Sequence, residues 1–375
     1  MKCVGVLGGG QLARMLALAG HPLGVRLRVF DPTADAPAGA VAEHVRADWG
    51  DAGAIERFCD GLDAATLEFE SVPIATARAV AARVRLAPSA DVLAATQDRL
   101  AEKELARRLG IETAGYAKID RAEDVSAAWG RTGGRAVLKQ RTMGYDGRGQ
   151  AVVASPQDTL LAWESGGRCP SVLEEFVTFE RELSLVAARS AAGETAAYPL
   201  VENVHREGML RRTLAPAPGV QAEVAAQAAS IAEHILRELD YVGVITLEFF
   251  EKEGRLLLNE IAPRVHNSGH WSIEGSQTSQ FENHLRAVLG WPLGSTRPVG
   301  YSALLNIIGT LPDTTGILGL PDTHLHLYGK EPRRGRKLGH VTARADDRTT
   351  LENRIRALEQ LIEGAATPPG TEVGP

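Results

Sequence analysis

A lysine followed by a glycine-rich loop is the part of this sequence best suited to chemistry. A short apolar run ends at Lys139, and Gly144, Gly147 and Gly149 follow it closely. Glycine lets backbone N–H groups approach an anion, because it has no Cβ in the way. A lysine ammonium at the base of the loop adds a compact positive charge that can reach the same anion. Residues 136–150 therefore predict contacts with phosphate groups, and a solvated glycine hairpin is the simpler alternative.

Two glutamates on a later hairpin form a candidate metal site. The strand-like runs VITLEFF and RLLLNEI are separated by Glu-Lys-Glu-Gly, which is a good hairpin signal. Folding this segment about Gly254 places Glu248 opposite Glu260. Like charges opposite each other destabilise a sheet, so we expect a cation between them, and Mg²⁺ bound by carboxylates and substrate phosphates meets this need. Asn259 adds a neutral oxygen, while two solvated glutamates are the alternative.

Polar residues continue directly after this hairpin. Arg264, His266 and Asn267 have few apolar neighbours in the sequence that would explain them as packing residues, so we expect them to face a ligand. Zinc binding through His266 and His270 is disfavoured, because no further cysteine or histidine stands at a suitable spacing. Farther on, the basic residues of 330–337 predict a small anion site suited to a phosphate monoester. A solvated basic turn is the alternative there.

The first glycine turn of the chain permits a different interpretation. A strand over 2–7 is followed by Gly8, Gly10 and Ala13 at the start of a helix, which fits the G-x-G-x-x-A pattern of dinucleotide-binding domains. Asp31, near the end of the next strand, supplies the acidic residue of that pattern. One alternative function is therefore that of an NAD-dependent dehydrogenase. A glycine turn at a helix N-terminus nevertheless suits any anion, including a substrate phosphate.

Two isolated charged residues extend these candidates. Glu70 lies in the loop at the carboxyl end of a strand over 64–69, where open α/β sheets bind their ligands, although a solvated carboxylate fits equally well. Arg99 is expected in the first turn of a helix that Thr96 caps. Its charge opposes the helix dipole at that position, so we expect an anionic partner for it, and a solvated surface position is the alternative.

Composition restricts the class of protein without identifying it. The chain has 375 residues, 44% of them hydrophobic, and a net charge of −6, which is typical of a soluble globular protein of two or three domains. The acidic balance argues against nucleic-acid binding, and no apolar run approaches the ~20 residues that span a bilayer. The N-terminus does not resemble a signal peptide, and the three cysteines are scattered. We therefore expect a cytoplasmic protein with neither nucleic-acid nor membrane partners.

Several segments resemble those of the ATP-grasp ligases and, more closely, of the N5-carboxyaminoimidazole ribonucleotide synthases. The resemblance runs from residue 1 to about 345 and rests on GGGQLARM, LEFESVP, QRTMGYDGRGQ, NEIAPRVHNSGHW and GKEPRRGRKLGH. It implies that ATP, bicarbonate and 5-aminoimidazole ribonucleotide are the substrates and that carboxyphosphate is an intermediate. It also implies a magnesium cofactor and a homodimer. Another ATP-grasp enzyme, such as a biotin carboxylase or a formate-dependent transformylase, is the alternative within this superfamily.

The resemblance assigns roles to individual residues. For ATP it implies Arg99, Lys139, Gly144, Tyr145, Asp146, Gly147, Arg148, Gly149, Gln150, Glu174, Glu175, Phe176, Val177, Glu182, His205, Asn259 and Glu260. For the aminoimidazole ribonucleotide it implies Gln11, Glu70, Tyr145, Asp146, Arg264, His266, Asn267, Lys330, Arg336 and Lys337. Glu248 and Glu260 are implied as magnesium ligands. Asp146, Arg264, His266 and Asn267 are the expected catalytic residues, with Asp146 or His266 handling the proton of the substrate amine.

The expected fold class is mixed α/β and α+β. It consists of a Rossmann-like N-terminal domain, a small central lid and a C-terminal α+β domain, arranged as in ATP-grasp proteins. The expected divisions are an N-terminal substrate-binding domain over 1–95, a helix and lid over 96–170, the main ATP-grasp domain over 171–295, a C-terminal subdomain over 296–362 and a flexible tail over 363–375.

Overall fold

Three β-sheets organise the computed structural model, which describes residues 1–144 and 147–364. A four-stranded parallel sheet comes first, a four-stranded antiparallel sheet follows, and a nine-stranded antiparallel sheet comes last. This mixture of parallel and antiparallel sheets with helices agrees with the predicted fold class. In the part of the chain that the structure describes, we find no helix long and apolar enough to cross a membrane.

The N-terminal sheet has helices on both faces. Its elements are β1 (Lys2–Leu7), α1 (Gln11–Gly20), β2 (Val25–Phe30), β3 (Glu43–Val45), α2 (Ala52–Cys59), β4 (Ala64–Leu67), α3 (Ile74–Ala81) and α4 (Ala90–Thr96). The strand order is β3-β2-β1-β4. Helix α1 packs on one face and α2 to α4 on the other, so β1 is buried on both sides and its sequence is almost continuously apolar. The strand predicted over 2–7 is confirmed as β1, and the strand predicted to end near Asp31 is confirmed as β2.

A small antiparallel sheet, which we call the central sheet, carries the glycine-rich loop. Its elements, with the helix that precedes it, are α5 (Arg99–Arg108), β5 (Tyr116–Ile119), α6 (Asp124–Thr132), β6 (Ala136–Gln140), β7 (Gln150–Val153), α7 (Pro156–Ser165) and β8 (Ser171–Glu175). The strand order is β5-β8-β6-β7. The glycine-rich loop joins β6 to β7, and Lys139 is the penultimate residue of β6. Helices α6 and α7 share an apolar cluster with these strands.

The cap predicted for α5 is wrong. Thr96 is the last residue of α4, and its hydroxyl donates to the carbonyl oxygen of Val92 at 2.9 Å. Asp98 caps α5 instead, because its carboxylate accepts the backbone N–H groups of Leu100 (2.8 Å) and Ala101 (3.4 Å). One helix therefore ends at Thr96 and the next begins at Arg99. The sequence predicted only the start of a helix in this segment. Arg99 is the first residue of α5, as expected.

The large sheet contains the late hairpin. Its elements are β9 (Arg181–Arg189), β10 (Thr195–Ala197), β11 (Val201–Arg206), β12 (Met209–Ala215), α8 (Ala222–Glu238), β13 (Gly243–Lys252), β14 (Arg255–Ala262), α9 (Ser272–Gly275), α10 (Gln280–Leu289), β15 (Tyr301–Ile308), α11 (Thr314–Leu318), β16 (Thr323–Leu327), β17 (Lys337–Ala345) and α12 (Arg348–Gly364). The order is β14-β13-β9-β11-β12-β15-β17-β16, with β10 paired to β9.

Helices cover both faces of this sheet and join it to the others. Helix α8 packs on one face of β9, β13 and β14. Helix α10 packs on the opposite face of β9 and β13 and also contacts α1 of the N-terminal unit. Helices α11 and α12 share an apolar cluster with β15 and β17 at the C-terminal end. The hairpin of β13 and β14 is thus held at the edge of the sheet, beside α5.

Candidate active site

A β-bulge sets the register of the late hairpin. Its turn pairs Lys252 with Arg255, and that register continued along the strands would place Glu248 opposite Asn259. The register shifts by one residue at Asn259, so Glu248 faces Glu260 instead. The predicted pairing of the two glutamates is confirmed, although the bulge that produces it was not foreseen. Bulges of this kind are common next to active sites, where they redirect side chains.

The two glutamates have different electrostatic surroundings. Burial raises the pKa of Glu248 to about 7, and the neighbouring charge of Glu260 adds to that rise. Glu260 accepts a hydrogen bond from Arg99 Nη1 at 2.9 Å, so the expected anionic partner of Arg99 is found. The described residues contain no group of three or more His, Cys, Asp or Glu that could hold a metal ion. A divalent cation between these carboxylates would therefore need further ligands from a substrate, such as phosphate oxygens.

Lys139 connects the central sheet to this hairpin. Its ammonium donates to Glu174 Oε2 at 3.0 Å and to Asn259 Oδ1 at 3.3 Å. Lys103 of α5 lies 3.4 Å from the same Glu174 oxygen. Burial alone would raise the pKa of Glu174, but the two lysines lower it to about 2. We call this set the hairpin cluster, and its members are Arg99, Lys139, Glu174, Glu248, Asn259 and Glu260.

The glycine-rich loop reaches across to the large sheet. Gly147 has a φ of +75°, and a Cβ built there would lie 2.9 Å from the Cα of Gly208, in the turn between β11 and β12. Only glycine fits such a close approach of two backbones. The carbonyl oxygen of Gly144 accepts a long hydrogen bond from Arg99 Nη2 at 3.4 Å. Two predicted site residues of this loop, Tyr145 and Asp146, lie outside the described residues.

The remaining residues of the loop lie at the start of β7, and residues 174–177, which the resemblance implied for ATP, lie at the end of β8, an inner strand of the central sheet. Arg148 and Gln150 are both exposed, on either side of Gly149, and Gln150 begins β7. Glu174 and Glu175 end β8, and Phe176 and Val177 follow it. The backbone N–H groups of Glu175 and Phe176 donate to the carbonyl oxygens of Gly115 and Arg135. The Arg135 guanidinium lies 3.9 Å from the centre of the Phe176 ring.

His205 and Glu182 form a close pair beside the hairpin cluster. The imidazole Nδ1 of His205 lies 2.6 Å from Glu182 Oε2. Burial alone would lower the pKa of His205, but the hydrogen bond with Glu182 and the charge of Glu248 raise it above its ordinary value. The two residues lie on neighbouring strands, β11 and β9. The charge of Glu248 acts on His205, so this pair lies near the metal candidates.

A second group of predicted residues lies where the N-terminal unit meets the large sheet. Arg264 Nε is 2.8 Å from Glu70 Oε1, so the loop after β4 is joined to the segment after β14. His266 Nε2 lies 3.5 Å from Glu248 Oε1. Burial lowers the pKa of His266 well below its ordinary value, and the charge of Arg264 contributes, so this imidazole is neutral at pH 7. The side chain of Asn267 exchanges hydrogen bonds of 3.1 and 2.7 Å with Asn306 of β15.

The C-terminal basic turn reaches the first glycine turn. Lys330 donates to Gln11 Oε1 at 2.5 Å, although 319 residues separate them in the chain. Lys337 begins β17, and Arg336 Nη1 donates to the carbonyl oxygen of Glu331 at 3.3 Å within the turn itself. We call the second group the junction cluster, and its members are Gln11, Glu70, Arg264, His266, Asn267 and Lys330.

The first glycine turn is occupied by the protein itself. Glu68 Oε2 accepts the backbone N–H groups of Gly10 (2.5 Å) and Ala13 (3.3 Å), and Asp31 Oδ2 accepts that of Gly9 (2.8 Å). A Cβ at Gly10 would lie 2.0 Å from Glu68 Oε1. Burial raises the pKa of Glu68 to about 7 despite these two donors. The carboxylates fill the place that a pyrophosphate would take, which argues against the dinucleotide interpretation.

Three residues of the site were missed from the sequence. Glu68 directly follows β4, two residues before Glu70, and this shared strand end was a signal for it. Lys103 stands four residues after Arg99 on one helix, so the two side chains share a face. Asn306 is a lone amide within the apolar strand YSALLNII, and an isolated polar residue in a buried strand usually has a specific partner.

Comparison with family models covers most of the chain. Residues 1–97 match the ribonucleotide synthetase preATP-grasp domain, residues 104–281 match the ATP-grasp domain, and residues 302–354 match the phosphoribosylaminoimidazole carboxylase C-terminal domain. These three domains occur here in the order that the predicted ATP-grasp fold requires. The predicted fold is therefore confirmed.

Individual relatives extend over nearly the full length of the chain. It is 49% identical over 360 residues to N5-carboxyaminoimidazole ribonucleotide synthase of Pseudomonas aeruginosa, a match covering 96% of this chain and 99% of that one. The crystal structure of the synthetase from Thermus thermophilus has a TM-score of 0.92 at 48% identity, covering 98% and 100% of the two chains.

The synthase of Aspergillus clavatus was solved in complex with ADP and 5-aminoimidazole ribonucleotide. It has a TM-score of 0.90 at 31% identity and covers 97% of this chain and 99% of that one. The similarity thus extends along almost the whole length of all three relatives, in sequence for the first and in sequence and structure for the other two. The chain belongs to the N5-carboxyaminoimidazole ribonucleotide synthase family of ATP-grasp ligases.

Proposed function

We propose that the hairpin cluster binds Mg-ATP and that the junction cluster binds 5-aminoimidazole ribonucleotide beside it. The chain is a ligase of purine biosynthesis that carboxylates this ribonucleotide with the use of ATP, in line with its family. The strongest support for this division is that Glu248 pairs with Glu260 on the hairpin, where Lys139 of the central sheet donates to the neighbouring Asn259. The clusters meet at the 3.5 Å contact between Glu248 and His266, so the two substrates would lie next to each other.

The nucleotide would lie between the central sheet and the hairpin. Lys139 and Arg99 supply positive charge for the phosphates, and the backbone of the glycine-rich loop supplies N–H donors. Glu182 and His205 lie near Glu248 and suit the ribose hydroxyls and a further nucleotide contact. The residues proposed for ATP are those that the family resemblance implied, from Arg99 to Glu260, including Gly144–Gln150 and Glu174–Val177.

Magnesium fits the pair Glu248 and Glu260. Two partly buried carboxylates face each other, and Glu260 is bound by Arg99. Burial and the charge of Glu260 raise the pKa of Glu248, so a cation between the two would stabilise the charged form of Glu248. Oxygen ligands from two carboxylates together with substrate phosphates are what Mg²⁺ prefers. When bound there, magnesium would offset the negative charge of the phosphoryl group during its transfer.

The proposed reaction has two steps. An oxygen of bicarbonate attacks the γ-phosphorus of ATP and ADP leaves, with Lys139 and Arg264 stabilising the charge on the transferred group. The exocyclic amine of the ribonucleotide then attacks the carbon of the resulting carboxyphosphate. An N–C bond forms, the C–O bond to the phosphate breaks and inorganic phosphate leaves. Carboxyphosphate decomposes in water, so the glycine-rich loop should cover it. The close approach of Gly147 to Gly208 supports this covering role.

The amine must lose a proton when it becomes a carbamate. His266 is a neutral imidazole at pH 7 and lies beside Glu248, so it can accept that proton. Asp146 is the other candidate and belongs to the glycine-rich loop. Gln11 and Lys330 would hold the phosphate end of the ribonucleotide, together with Arg336 and Lys337.

We extend the proposal to the domain divisions, the cytoplasmic location and the homodimer that were predicted from the sequence. Their support is the resemblance to the family along almost the whole chain. Sedimentation equilibrium would test the assembly. A mass near 80 kDa, twice the 40.0 kDa of one chain, is expected, and a monomer at micromolar concentration would contradict it.

The function is tested by following ADP release with each substrate omitted in turn. We expect release to require 5-aminoimidazole ribonucleotide, bicarbonate and Mg²⁺, and ¹⁴C-bicarbonate to label the ribonucleotide product. Dependence on formate or biotin instead would assign the chain to another ATP-grasp reaction. Thermal protection by NADH but not by Mg-ATP would favour the dehydrogenase alternative.

A further inference from the structure

Helix α5 contacts the bulge of the late hairpin with three side chains. Arg99, Glu102 and Lys103 occupy positions i, i+3 and i+4, so they share one face of the helix. Glu102 and Lys103 are buried, with 3% and 2% of their surface exposed. Two ionisable side chains are seldom buried this fully without a specific partner. Their partners in the hairpin all lie in the segment 258–261 of β14.

The contacts cover every residue around the bulge. Lys103 Nζ donates to the carbonyl oxygens of Asn259 (3.0 Å) and Leu258 (3.4 Å). Glu102 Oε2 accepts the backbone N–H of Ile261 at 2.9 Å, next to Glu260, which is bound by Arg99. The helix therefore binds the backbone on both sides of the bulge and the side chain of the residue between them.

We propose that Lys103 is a positioning residue for the Mg-nucleotide site, because it holds the bulge that places Glu260 opposite Glu248. A bulge removes one residue from the hydrogen-bonded ladder, so the carbonyl oxygen of Asn259 needs another donor in a buried place. Lys103 supplies it. Without the bulge the register would move by one residue, and the side chain of Glu260 would turn to the opposite face of the sheet.

Lys103 also affects the lysine that we assign to the phosphates. Glu174 is shared by Lys103 at 3.4 Å and Lys139 at 3.0 Å, so one carboxylate faces two ammonium groups. Without the Lys103 side chain, Glu174 would pair with Lys139 alone and hold it more firmly away from a phosphate. The buried lysine thus leaves positive charge on Lys139 available for the nucleotide.

The inference rests on the proposed function and is tested with Lys103→Met, which keeps the aliphatic length and removes the charge. We expect MgADP binding measured by calorimetry to weaken at least tenfold, and the Mg²⁺ concentration for half-maximal activity to rise by a similar factor. The KM for the aminoimidazole ribonucleotide should change less than threefold. Arg107→Met, an exposed position on the same helix, is the matched control and should behave as the wild type.

Lys103→Arg completes the series, because a guanidinium can still donate to carbonyl oxygens but in a different geometry. We expect the MgADP affinity of Lys103→Arg, and its Mg²⁺ concentration for half-maximal activity, to lie between those of the wild type and of Lys103→Met. A folded Lys103→Met protein with wild-type MgADP affinity and Mg²⁺ dependence would overturn the proposal. If Lys103→Met does not fold, the Lys103→Arg variant decides between the outcomes. Unchanged MgADP affinity of Lys103→Arg would overturn the proposal, and weaker affinity at an unchanged melting temperature would support it. Failure of the wild type itself to bind MgADP would instead contradict the proposed function.

Discussion

Two glycine-rich turns in this chain look alike in sequence and differ in the structure. The turn before α1 directs its N–H groups at the carboxylates of Glu68 and Asp31. The loop between β6 and β7 follows Lys139 and reaches toward the hairpin that carries Glu248 and Glu260. Both would be suitable for an anion on sequence alone.

The difference lies in what supplies the negative charge. In the first turn the protein supplies it, so the turn is a structural element that fixes α1 and Gln11 next to it. In the second, Arg99, Lys103 and Lys139 stand beside Glu174, Glu248 and Glu260, so positive groups suited to a phosphate and carboxylates suited to a cation lie together. A glycine pattern therefore indicates anion contact, and only the surrounding side chains decide whether the anion is a ligand or a part of the chain.

The largest expected effect concerns the metal side of the second region. Glu260→Gln removes one of two proposed magnesium ligands and also the ionic partner of Arg99. We expect turnover to fall by roughly 10³-fold or more, since charge stabilisation in such sites provides factors of this size. The melting temperature should change little. Steady-state ADP release at saturating magnesium measures the effect, and wild-type activity there would refute the metal role.

Lys139→Ala tests the phosphate side of the same region. We expect kcat/KM for ATP to fall about 10²- to 10³-fold, because a preorganised positive charge beside the transferred group is lost. Lys118→Ala is the control, since Lys118 lies on the same sheet but is exposed and paired with Asp120. A loss smaller than threefold for Lys139→Ala would mean that the loop does not bind the nucleotide phosphates.

Glu68→Gln tests the first region through its pH dependence. Burial raises the pKa of Glu68 from 4.5 to about 7 in the folded chain, so its contribution to stability is complete below pH 4.5 and is lost as pH rises through 7. The raised pKa corresponds to on the order of 3 kcal/mol. Between pH 5 and pH 8, the free energy of unfolding of the wild type should fall by about this much relative to that of Glu68→Gln, as measured by urea unfolding at both pH values. A pH-independent difference between the two proteins would contradict the account.

The smallest expected effect concerns the link between the first region and the C-terminal basic turn. Lys330→Ala removes the partner of Gln11 and one proposed phosphate contact. We expect the KM for the aminoimidazole ribonucleotide to rise about tenfold, as for the loss of one charged hydrogen bond. The KM for ATP should stay within a factor of two. An effect confined to the ATP KM would place Lys330 at the wrong substrate.

Local patterns in the sequence were sufficient for the strands and for the main pairing of charges. Strand β1 is buried on both faces, so its apolar run marked it directly, whereas β2 was marked by apolar residues that alternate with Arg26 and Arg28. Glu248 and Glu260 were paired correctly by folding about Gly254, yet the turn itself has a different register and the bulge at Asn259 corrects it. A bulge depends on partners elsewhere in the fold, here α5, and no spacing within the hairpin reveals it.

Contacts between distant segments were beyond the reach of the sequence. Lys330 was expected at a phosphate and Gln11 at the substrate, but nothing in their spacing showed that they meet. Thr96 was read as a cap because threonine is a good one, whereas Asp98 two residues later is the actual cap. Lys103 stood on the same helix face as Arg99, and its importance appears only when Glu174 and the bulge are brought beside it.

The central claim is that one Mg-nucleotide lies between the hairpin and Lys139. Its most direct test is a crystal structure with ADP, 5-aminoimidazole ribonucleotide and Mn²⁺ in place of Mg²⁺, using anomalous scattering to locate the metal. We predict an anomalous peak between Glu248 and Glu260 with the ADP phosphates next to Lys139. A nucleotide bound at the turn before α1, or a metal peak away from the two glutamates, would contradict the account.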